Sequence, residues 1–173
     1  MAVITVIGAG MMGSAMSVPA RANGNEVRLV GTPLDRAIID GLKKDDYHNT
    51  LKRKLPAGCK YYQIEALDEA IAGADLIISG VSSFGVDWFA DEMLPRLSKD
   101  VPILCITKGM LDLEDGTLLP YPLHYLRLSQ GAGFSINAVG GPCTSYELAD
   151  RDPTHVTFCG ANIEQLRRIK ALF

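Results

Sequence analysis

The sequence is short of the features that would mark a membrane, secreted or nucleic-acid-binding protein. No stretch reaches the ~18 consecutive apolar residues of a bilayer-crossing helix, so no membrane span is expected. The apolar start is interrupted by Gly8, Gly10 and Gly13, and no basic residue precedes Arg21, so no secretory signal peptide is expected. Positive charge is not in excess: 17 Lys and Arg stand against 20 Asp and Glu, a net charge of −3, so no basic patch for nucleic acid is indicated. The four cysteines, Cys59, Cys105, Cys143 and Cys159, include no CxxC pair, and His48, His124 and His155 stand far from them in sequence. Neither a disulfide framework nor a metal site is expected; the pattern reads as free thiols in a reducing cytoplasm. Internal repeats and low-complexity linkers are absent too.

What remains is an ordinary globular chain of one domain's length, 47% hydrophobic over 173 residues. Apolar runs of strand length fall at 2–7, 26–30, 60–63, 75–79, 103–107, 136–139 and 155–159. They are largely unbroken rather than alternating, which predicts strands covered on both faces. The stretches between them are long enough for crossover helices, so the expected fold is α/β: a Rossmann-like, doubly wound, mostly parallel sheet with helices on both faces and βαβ units throughout. Gly24, between Asn23 and Asn25, suits the left-handed stop of the first helix. Thr144 with Glu147 reads as a capping box. Asn162 caps a last helix that places Ile163, Leu166, Ile169 and Phe173 on one face. Pro19 conflicts with the first helix, where proline costs roughly 3 kcal/mol unless the helix kinks. The apolar end, Ala171-Leu172-Phe173, reads as a cut made before a second domain.

The chemistry starts at Gly8-Ala9-Gly10-Met11-Met12-Gly13, a GxGxxG turn between an apolar strand and a helical segment. In that context Gly8 makes the turn, Gly10 lets the backbone approach a diphosphate, and Gly13 lets helix pack on strand; the free helix-start amides face the anion. A dinucleotide, NAD or NADP, is the expected cofactor. No acid stands at the tip of the second strand, and Asp35 is the nearest downstream. Thr32 and Arg36 suit a 2′-phosphate, while Arg36 reads equally as a solvated helix residue, so the choice between the two cofactors stays open. Further along, Gly80-Val81-Ser82-Ser83-Phe84-Gly85 follows the fourth strand; Ser82 and Phe84 either flank the cofactor or serve as a helix cap and a core side chain. Lys108 follows the fifth strand, as a donor to a substrate or as a solvated lysine. Gly140-Gly141-Pro142 follows the sixth, as a neighbour for a flat ring or as a tight turn.

Taken in order, these segments resemble the N-terminal domain of NAD(P)-dependent glycerol-3-phosphate dehydrogenases. The matching pieces are GAGMMGSA at 8–15, HNTLKRKLP at 48–56, ADLIISGVSS at 74–83, ITKGM at 106–110 and GGPCTSYELADRDPT at 140–154, the last resembling the family's GPSFAxE segment. The resemblance implies that Gly8, Gly10, Met11, Met12, Gly13, Phe84 and Ser145 contact the cofactor and that Lys108 lies at the substrate end of the cleft. Ser145 stands in place of the family's alanine, Cys143-Thr144 in place of Ser-Phe, and the proline-bearing stretch 118–127 departs from the pattern. The resemblance also implies a phosphorylated small-molecule substrate and a homodimer in the full-length form. The general acid/base lysine belongs to a C-terminal helical domain that residues 1–173 do not contain. A chain of this extent is expected to bind the dinucleotide without appreciable turnover. A stand-alone nucleotide-binding or redox-sensing module, or another two-domain hydroxyacid-type dehydrogenase, are the alternatives.

Overall fold

The most apolar runs form the middle of the sheet. In the computed structural model, which describes residues 1–130 and 132–173, seven strands lie in the order β11-β10-β7-β6-β1-β2-β5. They are β1 (Val3–Ile7), β2 (Glu26–Val30), β5 (Lys60–Tyr62), β6 (Leu76–Ser79), β7 (Ile103–Cys105), β10 (Ile136–Gly140) and β11 (Thr157–Cys159). Each corresponds to one of the seven expected strands; β2 matches end to end and the other six are trimmed or extended by one to two residues at an end. All neighbours pair in parallel except β10 and β11. Strands β6 and β7 are buried along their whole length, and β1 from Ile4 onward, as expected of strands covered on both faces.

Side chains alternate between two cores. Ile4, Val6, Leu76 and Ile78 face one side, where they meet Met16 and Ala20 of α1 (Met11–Ala22), Ile39 and Leu42 of α2 (Arg36–Asp45) and Ile169 of α7 (Ile163–Lys170). Ile7, Val30, Ile77, Ile103 and Cys105 face the other, against α3 (Leu67–Ile71), Val86 of α4 (Val86–Trp88), Phe89 and Met93 of the π turn that follows it, and Tyr125 of α5 (Tyr121–Leu128). Helices on both faces make the sheet doubly wound, the Rossmann-like arrangement. No described helix is long and apolar enough to cross a membrane.

Three expectations need correction, while Pro19 falls inside the first helix as expected. The βαβ pattern stops at β10: the six-residue α6 (Ser145–Asp150) packs on α1 instead of crossing the sheet, and β11 returns antiparallel as an edge strand. Two small hairpins, β3–β4 (Tyr47–His48 with Arg53–Lys54) and β8–β9 (Met110–Asp112 with Leu118–Pro120), interrupt the crossovers. On α7, Leu166 and Ile169 are buried but Ile163 is exposed, lining an open depression between α1, β11 and α7. Helix α1 runs through Pro19 without a break in its assignment. It is held at its end from outside: Asn23 and Asn25 donate to the carbonyls of Ala171 and Leu172 at 2.7 Å each. The stretch 118–127 places Pro120 and Pro122 at the start of α5, where the absent proline N–H costs no helical bond.

The local stop signals hold. Gly24 adopts φ +80° just past α1, and Asn162 accepts from the Glu164 and Gln165 amides. Burial raises the Cys59 thiol to about 11 and lifts Cys105 as well, so neither is a ready thiolate at neutral pH. At α6 the capping box is complete: Thr144 accepts from the Glu147 amide, and the Glu147 carboxylate accepts from the Thr144 N–H at 2.7 Å. That N–H, and then the Thr144 hydroxyl, hold the Glu147 carboxyl below its ordinary value of 4.5. Thr144→Ala should lower the unfolding free energy by about 1 kcal/mol, read as a urea midpoint shift at constant slope. The carboxylate's share is present above its ordinary value and is lost as the pH falls through the lowered one. The stability gap between the wild-type chain and Glu147→Gln should therefore close in acid.

Candidate functional site

The parallel strands end in one row of turns, and these turns form the site. The first joins β1 to α1. Gly8 has φ +114°, and a Cβ there would stand 2.7 Å from the Gly80 carbonyl group; a Cβ on Gly13 would stand 2.4 Å from the Gly8 oxygen. These two glycines are therefore required by the protein's own packing. Gly10 differs. Its φ of −65° is ordinary, and the nearest atom to a Cβ would be the Gly80 oxygen at 3.9 Å. No protein atom demands a glycine at that position, which is exposed at the mouth of the cleft. The Gly10 N–H has no acceptor among the described residues, and no side chain caps α1. The leading amides of a 12-residue helix are thus free to meet an anion, with the helix dipole behind them. An open cradle with orphan donors fits a diphosphate.

Beside this turn lies a pocket of about 450 Å³, bounded by Gly8 and Gly10, by Thr32 to Asp35 after β2, and by Gly80 to Gly85 after β6. Leu34 and Phe84 stand at its rim, 94% and 98% exposed. Phe84 is therefore not the core side chain that its sequence also allowed. Ser82 precedes the turn Ser83–Gly85 in the N-cap position but makes no capping bond, and it lines the pocket. A second depression, of about 560 Å³, lies between α1, β11 and α7 and contains none of the turn's glycines.

The structure separates the two residues named for a 2′-phosphate. Thr32 lines the pocket, where its hydroxyl donates to Asp35 at 2.8 Å. Arg36 points away and is exposed in an ion pair with Glu65, which raises the guanidinium's pKa and lowers that of the carboxyl. Asp35 lies five residues beyond β2, too far along the chain to stand out, yet its carboxylate folds back to accept from the Ala9 and Thr32 amides at 3.1 and 2.8 Å. The Thr-x-x-Asp spacing was its only sequence signal. His48 of β3 also reaches the turn, with Nε2 2.8 Å from the Ala9 oxygen.

At the other end, Lys108 is exposed overall, but its ammonium donates to the carbonyls of Gly141 and Cys143 at 2.7 and 3.0 Å. It ties the turn after β7 to the turn after β10. Its third donor rests on the Cys143 sulfur at 3.6 Å, a weak acceptor that a ligand oxygen can displace. Ser145 opens α6, half-buried, and the neighbouring Tyr146 hydroxyl lies 3.9 Å from Met11 Sδ. Met11 is exposed, while Met12 packs against the core. The Gly8–Gly13 turn, Thr32, Ser82 and Phe84 thus share one pocket region, with Lys108 and Ser145 on the flank beyond Met11 and Arg36 outside.

A family profile described as NAD-dependent glycerol-3-phosphate dehydrogenase N-terminus matches residues 3–166. The chain belongs to this family. A relative from Archaeoglobus fulgidus, an NADP(+)-dependent glycerol-3-phosphate dehydrogenase, is 35% identical over 99% of this chain and 50% of its own length. A glycerol-3-phosphate dehydrogenase [NAD(P)+] from Shouchella clausii is 28% identical over 98% of this chain and 49% of its own. Among solved structures, the Coxiella burnetii glycerol-3-phosphate dehydrogenase superposes with a TM-score of 0.81 at 23% identity, covering 99% of this chain and 51% of that one, which shows the fold. The family resemblance read from the five segments is confirmed, as is the NAD(P)-dependent character of the family. The chain spans about half the length of the curated relatives it matches.

The two kinds of glycine predict different failures. Gly10→Leu should leave the melting temperature within a few degrees of wild type while removing the stabilisation that NADH or NADPH confers. Gly13→Ala should instead destabilise the fold by about 1–3 kcal/mol through overpacking against the Gly8 carbonyl. Thermal melts of both variants with and without the dinucleotide check the pair.

Proposed function

We propose that residues 1–173 are the dinucleotide-binding domain of an NAD(P)-dependent glycerol-3-phosphate dehydrogenase. In this reading the domain works with a C-terminal helical domain that carries the general acid/base lysine. The observation that carries the reading is Gly10, a glycine that the protein's own packing does not require, beside amides with no partner among the described residues. Those amides of Gly10, Met11 and Met12 hold the diphosphate. Leu34 and Phe84 flank the adenosine, with Thr32, Ser82 and Ser145 lining the same cofactor path. When bound, the dinucleotide supplies or accepts the hydride exchanged with dihydroxyacetone phosphate or sn-glycerol 3-phosphate. Lys108, fixed by two carbonyls, turns its third N–H from the weakly accepting Cys143 sulfur to a substrate oxygen.

The relatives' names, and their being about twice as long, support the enzyme over a stand-alone module. Full-length protein is a homodimer in this reading, and the four free thiols suit a cytoplasmic location. Holding substrate against cofactor can supply roughly 7–11 kcal/mol of the barrier reduction, and general acid–base help about 10²–10⁴-fold more. Without the second domain both are lost.

The chain alone should therefore bind cofactor without reducing dihydroxyacetone phosphate. NADH or NADPH at about 100 times its dissociation constant should stabilise it by about 2.7 kcal/mol, visible as a higher melting temperature. An absorbance assay with dihydroxyacetone phosphate should show negligible oxidation of either reduced cofactor. The absence of a melting shift with both dinucleotides would remove the binding claim, and ordinary turnover by this chain would remove the two-domain claim.

A further inference from the structure

The turn that meets the diphosphate is held from behind by a histidine to which sequence reasoning gave no role. His48 and Ala9 are both fully buried. The Leu51 N–H donates to His48 Nδ1 at 3.1 Å, so in the neutral ring Nδ1 is bare and the proton sits on Nε2. Nε2 then donates to the Ala9 carbonyl at 2.8 Å. The opposite side of the same residue is fixed as well, since the Ala9 N–H donates to Asp35 Oδ2 at 3.1 Å. The peptide from Ala9 to Gly10 is trans, so its carbonyl and its N–H point in opposite directions. A carbonyl drawn inward by His48 leaves the Gly10 N–H facing outward, where it has no acceptor among the described residues. The Ser14 hydroxyl also donates to the Ala9 oxygen, at 3.3 Å, but from within α1. His48 alone brings in a separate element, the β3–β4 hairpin.

We propose that His48 is a positioning residue for cofactor binding: as its Nε2–H tautomer it orients the Ala9–Gly10 peptide so that the Gly10 N–H is aimed at the diphosphate. The inference rests on the dinucleotide-binding reading above. It gives the 48–56 segment a specific task, which is to carry one donor to the back of the turn. The hairpin is built to hold that donor in place. Its backbone bonds Lys52 N–H to His48 O at 2.7 Å, and Lys52 itself takes a positive φ of 56° to close the loop.

Two amide replacements split the ring's two bonds. His48→Gln places an N–H near the Nε2 position and can still donate to Ala9. His48→Asn reaches only the Nδ1 position, so it can accept from Leu51 but leaves Ala9 without its donor. Calorimetric titration of NADH and NADPH, with adenosine as a ligand lacking the diphosphate, reads the difference. The expected result is dinucleotide affinity within about threefold of wild type for His48→Gln and at least about tenfold weaker for His48→Asn, the size of one lost hydrogen bond. Adenosine affinity should be the same in all three proteins. Equal weakening by both variants, wild-type affinity in His48→Asn, or adenosine weakening in step with the dinucleotide would each overturn the proposal. If the wild-type chain binds neither dinucleotide, the fault lies with the domain's function and not with His48. Nitrogen NMR of the unmutated chain needs no folded variant: a protonated Nε2 and a bare Nδ1 are expected, and the reverse tautomer would overturn the assignment.

Discussion

The carbonyl of Gly8 is the point around which the site is built. It occupies space that a side chain on Gly13 or on Gly80 would need, with ideal Cβ positions 2.4 and 2.8 Å away. Three segments, the end of β1, the first turn of α1 and the end of β6, can meet there only as bare backbone. That meeting seats the start of α1 against the carboxyl edge of the sheet. Everything the site can do with an anion follows from it, because the free amides of a helix start are useful only where the backbone can come close. Packing density makes such a contact intolerant of even one added methyl group, whereas the neighbouring Gly10 is spared that constraint by the protein and left to the ligand.

Around this contact the chain uses few charges. The turn's electrostatics come from unpartnered N–H groups and a helix dipole rather than from a basic patch, in keeping with the net charge of −3. Asp35 and His48 act on the two sides of Ala9, one accepting and one donating. Lys108 does similar work at the far end, bonding the turn after β7 to the turn after β10 through two carbonyls. Arg53, bidentate on Asp150 at 2.5 and 2.9 Å, ties the His48 hairpin to α6. The loops of the site are thus cross-braced by polar side chains while the sheet beneath them is held by apolar contact.

Much of the fold was legible because the relevant signals are local. The unbroken apolar runs marked all seven sheet strands, Gly24 and Asn162 marked helix ends, and Thr144 with Glu147 marked the capping box. The GxGxxG spacing marked the turn from β1 to α1, where Gly13 meets the Gly8 carbonyl five residues away, although the Gly80 group that crowds Gly8 comes from a distant strand. The reversal of β11 was not legible, since its direction depends on α6 lying against α1, a contact between elements over a hundred residues apart. The same holds for Arg36: its spacing from the turn suited a 2′-phosphate, but Glu65, from a separate segment, turns it outward. Asp35 and His48 were named in the sequence without these roles, because both act on backbone atoms of Ala9, which carry no side-chain signature.

The central claim is that the amides at the start of α1 receive the diphosphate. Backbone amide shifts recorded while ADP-ribose is titrated into the protein test it most directly. The account predicts the largest changes at Gly10, Met11 and Met12, with little change at the exposed turn around Gly73, which leads into β6 at the opposite edge of the sheet. Changes concentrated instead along the groove between Met16 and Phe173, with Gly10 unmoved, would contradict it.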